Sequence, residues 1–219
     1  MNKSLFIYPG SWVPEVFSLN YTSKLGCAMA CAVLMVGAAL AMSWSSPSML
    51  TDDSYIVEGA DEGNFGTEEI LWVSSEDDEP VMESWLGFDT FTMKEALGIE
   101  STDDADIIDS ATLKVYAKEV ETPGEVELHF YNHGIFEDTI AWDEDKPEYD
   151  EEVDGVIDVT EEGWYEFDAT SIVNKAIEEC LECPFSVVLV AKDDASVGFA
   201  SKEDSDGNAP LLTINTIDE

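Results

Sequence analysis

An all-β fold, a sandwich or barrel of short antiparallel strands with one short helix, is predicted from about residue 50 to the C-terminus. Three observations predict it. Apolar and polar residues alternate with period two in several stretches. Acidic turns punctuate those stretches at short intervals, as they do between strands. Only one stretch, Ser171 to about Cys180, repeats with the 3.6-residue period of a helix.

Taken in order, Ser54–Glu58, Ile70–Ser74 and Ser84–Asp89 are short runs bounded by acidic turns, and each is expected to be a strand. In Ala111–Val120 the alternation is clearest. Ala111, Leu113, Val115 and Ala117 share one face, and Thr112, Lys114, Tyr116 and Lys118 the other. Val126–Asn132, Val156–Val159 and Trp164–Phe167 follow as strands. The helix comes next, capped by Thr170 or Ser171, with Ile172, Val173, Ala176 and Ile177 toward the core. Phe185–Ala191, Val197–Ser201 and Leu211–Thr216 complete the strands. The acidic segments Ser101–Asp106 and Asp143–Asp154 carry too much charge to be buried. No internal repeat or linker divides this body, so residues 50–219 are expected to form one domain.

Residues 1–49 have a different character. Leu25 to Met42 is an apolar run of uncharged residues directly after Lys24. Ala39 and Ala41 form an Ala-x-Ala site, so the run reads as a signal peptide cleaved after Ala41, or as a hydrophobic helix retained as a membrane anchor. In both cases Lys3 and Lys24 mark the inside and the acidic body lies outside, extracellular or at the cell surface.

The chain has 219 residues and a net charge of −40, with 49 acidic residues. All nine basic residues are lysine. Such a chain repels phosphate backbones, which excludes nucleic acid as a partner, and anionic membrane surfaces are disfavoured for the same reason. Contact with a membrane is expected only through the N-terminal segment, if that is not cleaved. A cation remains attractive, and outside a cell calcium is the divalent candidate. Most of the carboxylates read simply as a solvated surface whose self-repulsion salt screens.

The order of motifs is recognisable. "DSYIVEGADEGNFGTEEILWVSS" pairs a strand, an Asn64-Phe65-Gly66 turn and a second strand. "SWLGFD", "SATLKVYAKEV", "FEDTIAWDEDKP", "GWYEFDATSIVNKAI" and "FASKEDSDGNAPLLTI" follow. In this order, from about Asp52 to Ile217, they resemble the DNRLRE family of extracellular modules. That resemblance implies a jelly-roll antiparallel β-sandwich similar to carbohydrate-binding modules, found beside polysaccharide lyases, in archaeal cell-wall disaggregating enzymes and in surface-layer proteins. The sequence departs from the family at Lys202, which precedes Glu203 where the family has arginine.

Nothing in the chain assembles a nucleophile with its base. His129 and His133 fall in or beside one strand, and there is no Gly-x-Ser-x-Gly or phosphate loop. No catalytic residue and no enzyme activity are expected. Cys180 and Cys183 close a helix instead of opening one, so the dipole opposes a reactive thiolate. They read as a tight disulfide, with two plain thiols as the alternative. Asp204, Asp206 and Asn208 have the oxygen spacing of the first part of a calcium loop, although a simple Asp/Gly turn accounts for them as well.

A hairpin is expected around Glu121–Gly124. Its register sets Lys118 opposite Glu127, Tyr116 opposite His129 and Lys114 opposite Tyr131. Tyr116, Tyr131, Lys114, Lys118 and His129 would then share one polar face. Rings stack on the apolar CH faces of sugars and the donors bind hydroxyls, although cross-strand pairing on a solvated face produces the same pattern. The expected function is a non-catalytic module that binds polysaccharide of the envelope or matrix. The alternative is a structural subunit of a surface layer or filament, which meets other surface proteins through calcium or strand edges.

Overall fold

The computed structural model describes residues 43–45, 49–60, 65–102, 107–142 and 146–217. The apolar run Leu25–Met42 lies outside them. The described residues form a jelly-roll-like antiparallel β-sandwich made from one strongly curled sheet.

In chain order the elements are β1 (Ser43–Ser45), β2 (Leu50–Val57), β3 (Ile70–Glu76), β4 (Glu79–Phe88), α1 (Thr90–Leu97), β5 (Ile108–Thr122) and β6 (Gly124–Tyr131). Then come β7 (Gly155–Val159), β8 (Gly163–Asp168), α2 (Thr170–Glu179), β9 (Phe185–Ala191), β10 (Ser196–Ala200) and β11 (Leu211–Thr216). The sheet runs β1-β11-β5-β10-β3-β4-β9-β6-β7, with β8 also on β5 and β2 also on β4. One layer holds β1, β11, β5, β8, β10 and β3. The other holds β2, β4, β9, β6 and β7.

The curl has a local cause. The long strand β5 pairs with β11 through its first half and with β10 through its second, and register shifts interrupt both ladders. Such irregularities bend a strand and increase its twist, which lets one sheet fold back over itself. Between the layers lie Leu113, Val115 and Ala117 of β5, Phe167 of β8 and Val197 and Phe199 of β10. Facing them are Val126, Leu128 and Phe130 of β6 and Val187 and Leu189 of β9. Each fully buried side chain of this size contributes about 1.5–3 kcal/mol of burial free energy.

The helix expected at Ser171–Cys180 is α2, and it buries Ile172, Val173, Ala176 and Ile177. A second helix, α1, was not expected. Eight residues are too few to show a helical period, but the ends are well formed. Asp89 Oδ1 accepts the Phe91 amide at 2.9 Å, and Gly98 follows the last turn at φ +69°. Met93 and Leu97 anchor the helix in the core.

The expected hairpin between β5 and β6 does not form. β5 pairs with β8, β10 and β11, and β6 pairs with β7 and β9. At Pro123 the chain crosses from one layer to the other. Both strands alternate because both face the same core, from opposite sides. Alternation identifies the inward face of a strand but not the layer it belongs to. The crossing is tight, because a Cβ on Gly124 would lie 2.7 Å from Ala195 Cβ. Gly124→Ala is therefore expected to cost about 1–3 kcal/mol through overpacking. A thermal melt with wild-type stability would mean that the crossover has room to spare.

Outside the second layer is a smaller core. Ile56, Trp85, Val188 and Val190 of its outer face are covered by Ile135 and Ile140, with Tyr131, Trp142 and Tyr149 packed around them. The cover comes from the segment between β6 and β7. Its charged residues Glu148, Asp150, Glu151 and Glu152 stay exposed while Tyr149 turns inward.

Candidate functional site

Loss of the hairpin separates the five residues expected to share a face. Tyr116 and Lys114 lie on the outer face of the first layer, while Tyr131 and His129 lie on the outer face of the second. His129 is only 5% exposed. Its Nδ1 lies 3.0 Å from the Asp150 carbonyl and 3.1 Å from that of Glu152, and its ring packs on Tyr149. It therefore pins the covering segment and offers no free edge to a ligand. Tyr131 packs edge-on against Trp85 with centroids 5.5 Å apart, as part of the smaller core. Lys118 is turned toward Asp204, Glu69 and Asp206.

What remains on the first layer is a compact aromatic surface. Strand pairing sets Tyr116 beside Trp164, Lys114 beside Glu166 and Thr112 beside Asp168. Residues directly opposite in an antiparallel ladder share a face, so all six point outward. Trp164 is 44% exposed, more open than Trp72, Trp85 and Trp142. Its ring meets Tyr116 in a T-shaped contact with centroids 5.2 Å apart. Lys114 Nζ lies 5.3 Å from the centre of the Trp164 ring and 3.1 Å from Glu166 Oε1.

Beside the rings is a shallow depression of about 520 Å³, lined in part by Asp109, Thr112, Glu166, Asp168 and Thr170. The Thr170 hydroxyl donates to Asp168 Oδ1 at 2.6 Å and the Thr170 amide at 3.0 Å. Those bonds hold the Asp168 carboxyl below the usual carboxylate range. An exposed indole, a phenol, an ammonium and ionised carboxylates together suit the stacking and hydroxyl recognition that sugars require. Trp164 is the residue that sequence reasoning missed. The signal was present, because Trp164, Glu166 and Asp168 alternate with the inward Phe167.

At the Asp204 turn both oxygens of Asp204 are engaged within the protein. Asp204 Oδ1 accepts from Lys118 Nζ, while Oδ2 accepts the Asn208 amide at 2.9 Å and Asn208 Nδ2 at 3.2 Å. Asp206 lies 3.9 Å from the same ammonium. The loop is an Asx turn in which Lys118 and Asn208 take up both oxygens of Asp204, while Asp206 stays exposed. Cys180 and Cys183 are joined by a disulfide with Cα atoms 5.3 Å apart, directly after α2.

A different set of carboxylates converges elsewhere. Asp53 of β2, Glu137 of the covering segment and Glu203 after β10 each place one oxygen within 4.8 Å of the others. Lys202 Nζ bonds Glu137 Oε2 at 2.5 Å and Glu203 Oε1 at 2.6 Å, while its amide donates to Asp53 Oδ2 at 2.7 Å. Burial, with the Glu203 charge adding to it, pushes the Asp53 carboxyl up to about 8. Every lysine after residue 50 has a carboxylate within 4 Å. Among the described residues, every lysine therefore has an acidic neighbour.

A β-sandwich that carries an open aromatic surface belongs to the broad class of ligand-binding modules. The model of carbohydrate-binding module family 96 matches residues 45–216, so the chain belongs to that family. The match covers the same stretch as the motif order that resembles DNRLRE modules, and the family it names is carbohydrate-binding module family 96. No curated protein matches the chain.

Proposed function

We propose that this protein is a non-catalytic module that binds a neutral polysaccharide of the cell envelope or extracellular matrix, outside the cell. The binding surface is the outer face of β5 and β8, where Trp164 and Tyr116 form the stacking platform and Lys114, Glu166 and Asp168 meet sugar hydroxyls. The observation that carries this reading is the 44% exposed Trp164 ring braced against Tyr116 in a chain of this family. The net charge of −40 and the carboxylates of the depression favour neutral glycans over polyanionic ones.

The test uses the full-length chain on an array of neutral and acidic polysaccharides, followed by isotherms for whatever is retained. Trp164→Ala is expected to weaken binding about tenfold or more, the equivalent of roughly 1.4 kcal/mol. Its stability cost should stay within about 1 kcal/mol, because the side chain belongs to an exposed cross-strand pair. Tyr131→Ala should do the reverse, lowering the melting temperature and leaving affinity unchanged. Full glycan affinity in Trp164→Ala, or retention of acidic glycans alone, would remove this assignment.

A further inference from the structure

We propose that the turn Phe136–Ile140, on the segment that covers the second layer, is a second glycan contact, so that one module bridges two polysaccharide chains. The proposal rests on the reading of the β5–β8 face as a glycan surface and adds a site on the other layer. Phe136 is 73% exposed, more than Trp164. Its neighbours explain why it points outward. Ile135 and Ile140 are 6% and 7% exposed and take the inward positions in the smaller core. Between them the Thr139 and Ile140 amides both donate to the Phe136 carbonyl at 3.0 Å, which closes the turn. The turn is also held from its flanks. Glu137 Oε2 accepts from Lys202 Nζ at 2.5 Å and from the Asp53 amide at 3.3 Å. A Cβ on Gly134 would lie 2.8 Å from Pro184 Cβ, so the chain enters the turn pressed against the start of β9. A ring displayed on a fixed turn loses little freedom when a ligand stacks on it.

The chemistry of the surroundings selects the occupant. Beside the ring is a cavity of about 220 Å³, walled by Ile135, Phe136, Thr139, Ile140 and Pro147. Pockets for drug-sized ligands run to about 300–1,000 Å³, so this one has room for a single sugar ring and not for a folded segment of protein. Among the described residues, none that lines it carries a charge, in a chain where 26% of residues do. That disfavours an ionic ligand and suits a neutral one. A pyranose matches both parts of the wall. Its CH face stacks on Phe136 and packs against Pro147, and its hydroxyls meet Thr139 and the peptide groups of the turn. The Thr139 hydroxyl donates to the Phe136 carbonyl at 3.4 Å and keeps its lone pairs for a sugar hydroxyl. A second copy of the chain is opposed by repulsion between two bodies that each carry a net charge of −40. The turn lies outside the second layer and Trp164 outside the first. Stacked sheets lie about 10 Å apart, so the two aromatic contacts face away from each other and take different chains.

The experiment mixes the full-length chain with beads coated with mannan, starch or xyloglucan and reads two quantities, the protein bound per bead and the agglutination of the beads. Wild type is expected to coat at least one kind of bead and to agglutinate it while sedimenting as a monomer. Phe136→Ala should still coat those beads but need about tenfold more protein, or more, to agglutinate them, because only one contact remains. Its melting temperature should not change, since the ring is open. Phe91→Ala removes a different exposed ring, on α1, and should behave as wild type. Phe136→Ala combined with Trp164→Ala should bind no bead. Beads that wild type coats without agglutinating, or that Phe136→Ala agglutinates equally well, would overturn the second site and leave the β5–β8 surface standing. So would a wild-type dimer that Phe136→Ala dissociates, because the ring would then join two proteins instead of meeting a glycan. A wild type that coats none of the beads would take down both readings together.

Discussion

Trp85→Ala is expected to destabilise the protein by about 3–5 kcal/mol, the loss of a large core aromatic and the cavity it leaves. Trp85 is fully buried, yet it points away from the main core, toward the outside of the second layer. Its ring contacts Tyr131 and Tyr149 at centroid distances of 5.5 and 5.9 Å. Tyr149 in turn contacts His129, so the variant should loosen the whole segment that covers this face. Two measurements follow this, urea denaturation for the free energy and amide exchange over residues 146–154 for the local effect. A cost near that of an exposed residue, with unchanged exchange, would mean that the segment does not seat on the sheet as described.

Removal of the Lys146 ammonium should have the next largest effect. Glu83 is fully buried, and its Oε1 accepts from Lys146 Nζ at 2.6 Å and from the Tyr149 hydroxyl at 3.2 Å. The lysine is held from above as well, with Nζ 3.8 Å from the centre of the Trp142 ring. Lys146→Met leaves an uncompensated buried carboxylate, which costs about 3–5 kcal/mol for a fully buried pair. Because Lys146 keeps 22% exposure, water screens part of this, and the lower end of that range is expected. Glu83→Gln in the same background removes the orphaned charge and should restore most of the loss. A double-mutant cycle by chemical denaturation measures the difference. An additive cycle would show that the pair is not coupled.

Much of the fold was legible because burial imposes a period. Leu113, Val115 and Ala117 alternate with Lys114 and Tyr116, and Ile172, Val173, Ala176 and Ile177 fall on one helical face. The unbroken apolar run Phe185–Ala191 carried a further signal, since a strand polar on neither face is covered on both. β9 is buried at every position. What covers its outer side was not legible, because the cover is an acidic segment that contributes only a few inward side chains, among them Ile135, Ile140 and Tyr149. α1 escaped notice because two turns are too short for periodicity to register.

The candidate site was half legible. Tyr116 and Lys114 were placed on the correct outward face, but their neighbours were assigned across a hairpin that does not exist. With Pro123 alone between β5 and β6, adjacency in sequence suggested pairing, and the alternation of both strands was compatible with it. The tight approach of Gly124 to Ala195 is a contact between residues far apart in sequence, and no local pattern encodes it.

The sequence by itself determined the class of fold, the position of most strands, the inward face of each and the acidic character that disfavours polyanionic partners. These follow from local properties, the side-chain period and the summed charge. Only the tertiary structure decided which strands are neighbours, and therefore which outward residues form a surface together. It moved His129 and Tyr131 into a covered face, set Trp164 beside Tyr116 and gave the oxygens of Asp204 to Lys118 and Asn208. It also brought Asp53 to Glu137 and Glu203 from the far ends of the domain. Pairings of this kind are set by how the curled sheet closes on itself, a property of the whole chain that no single segment carries.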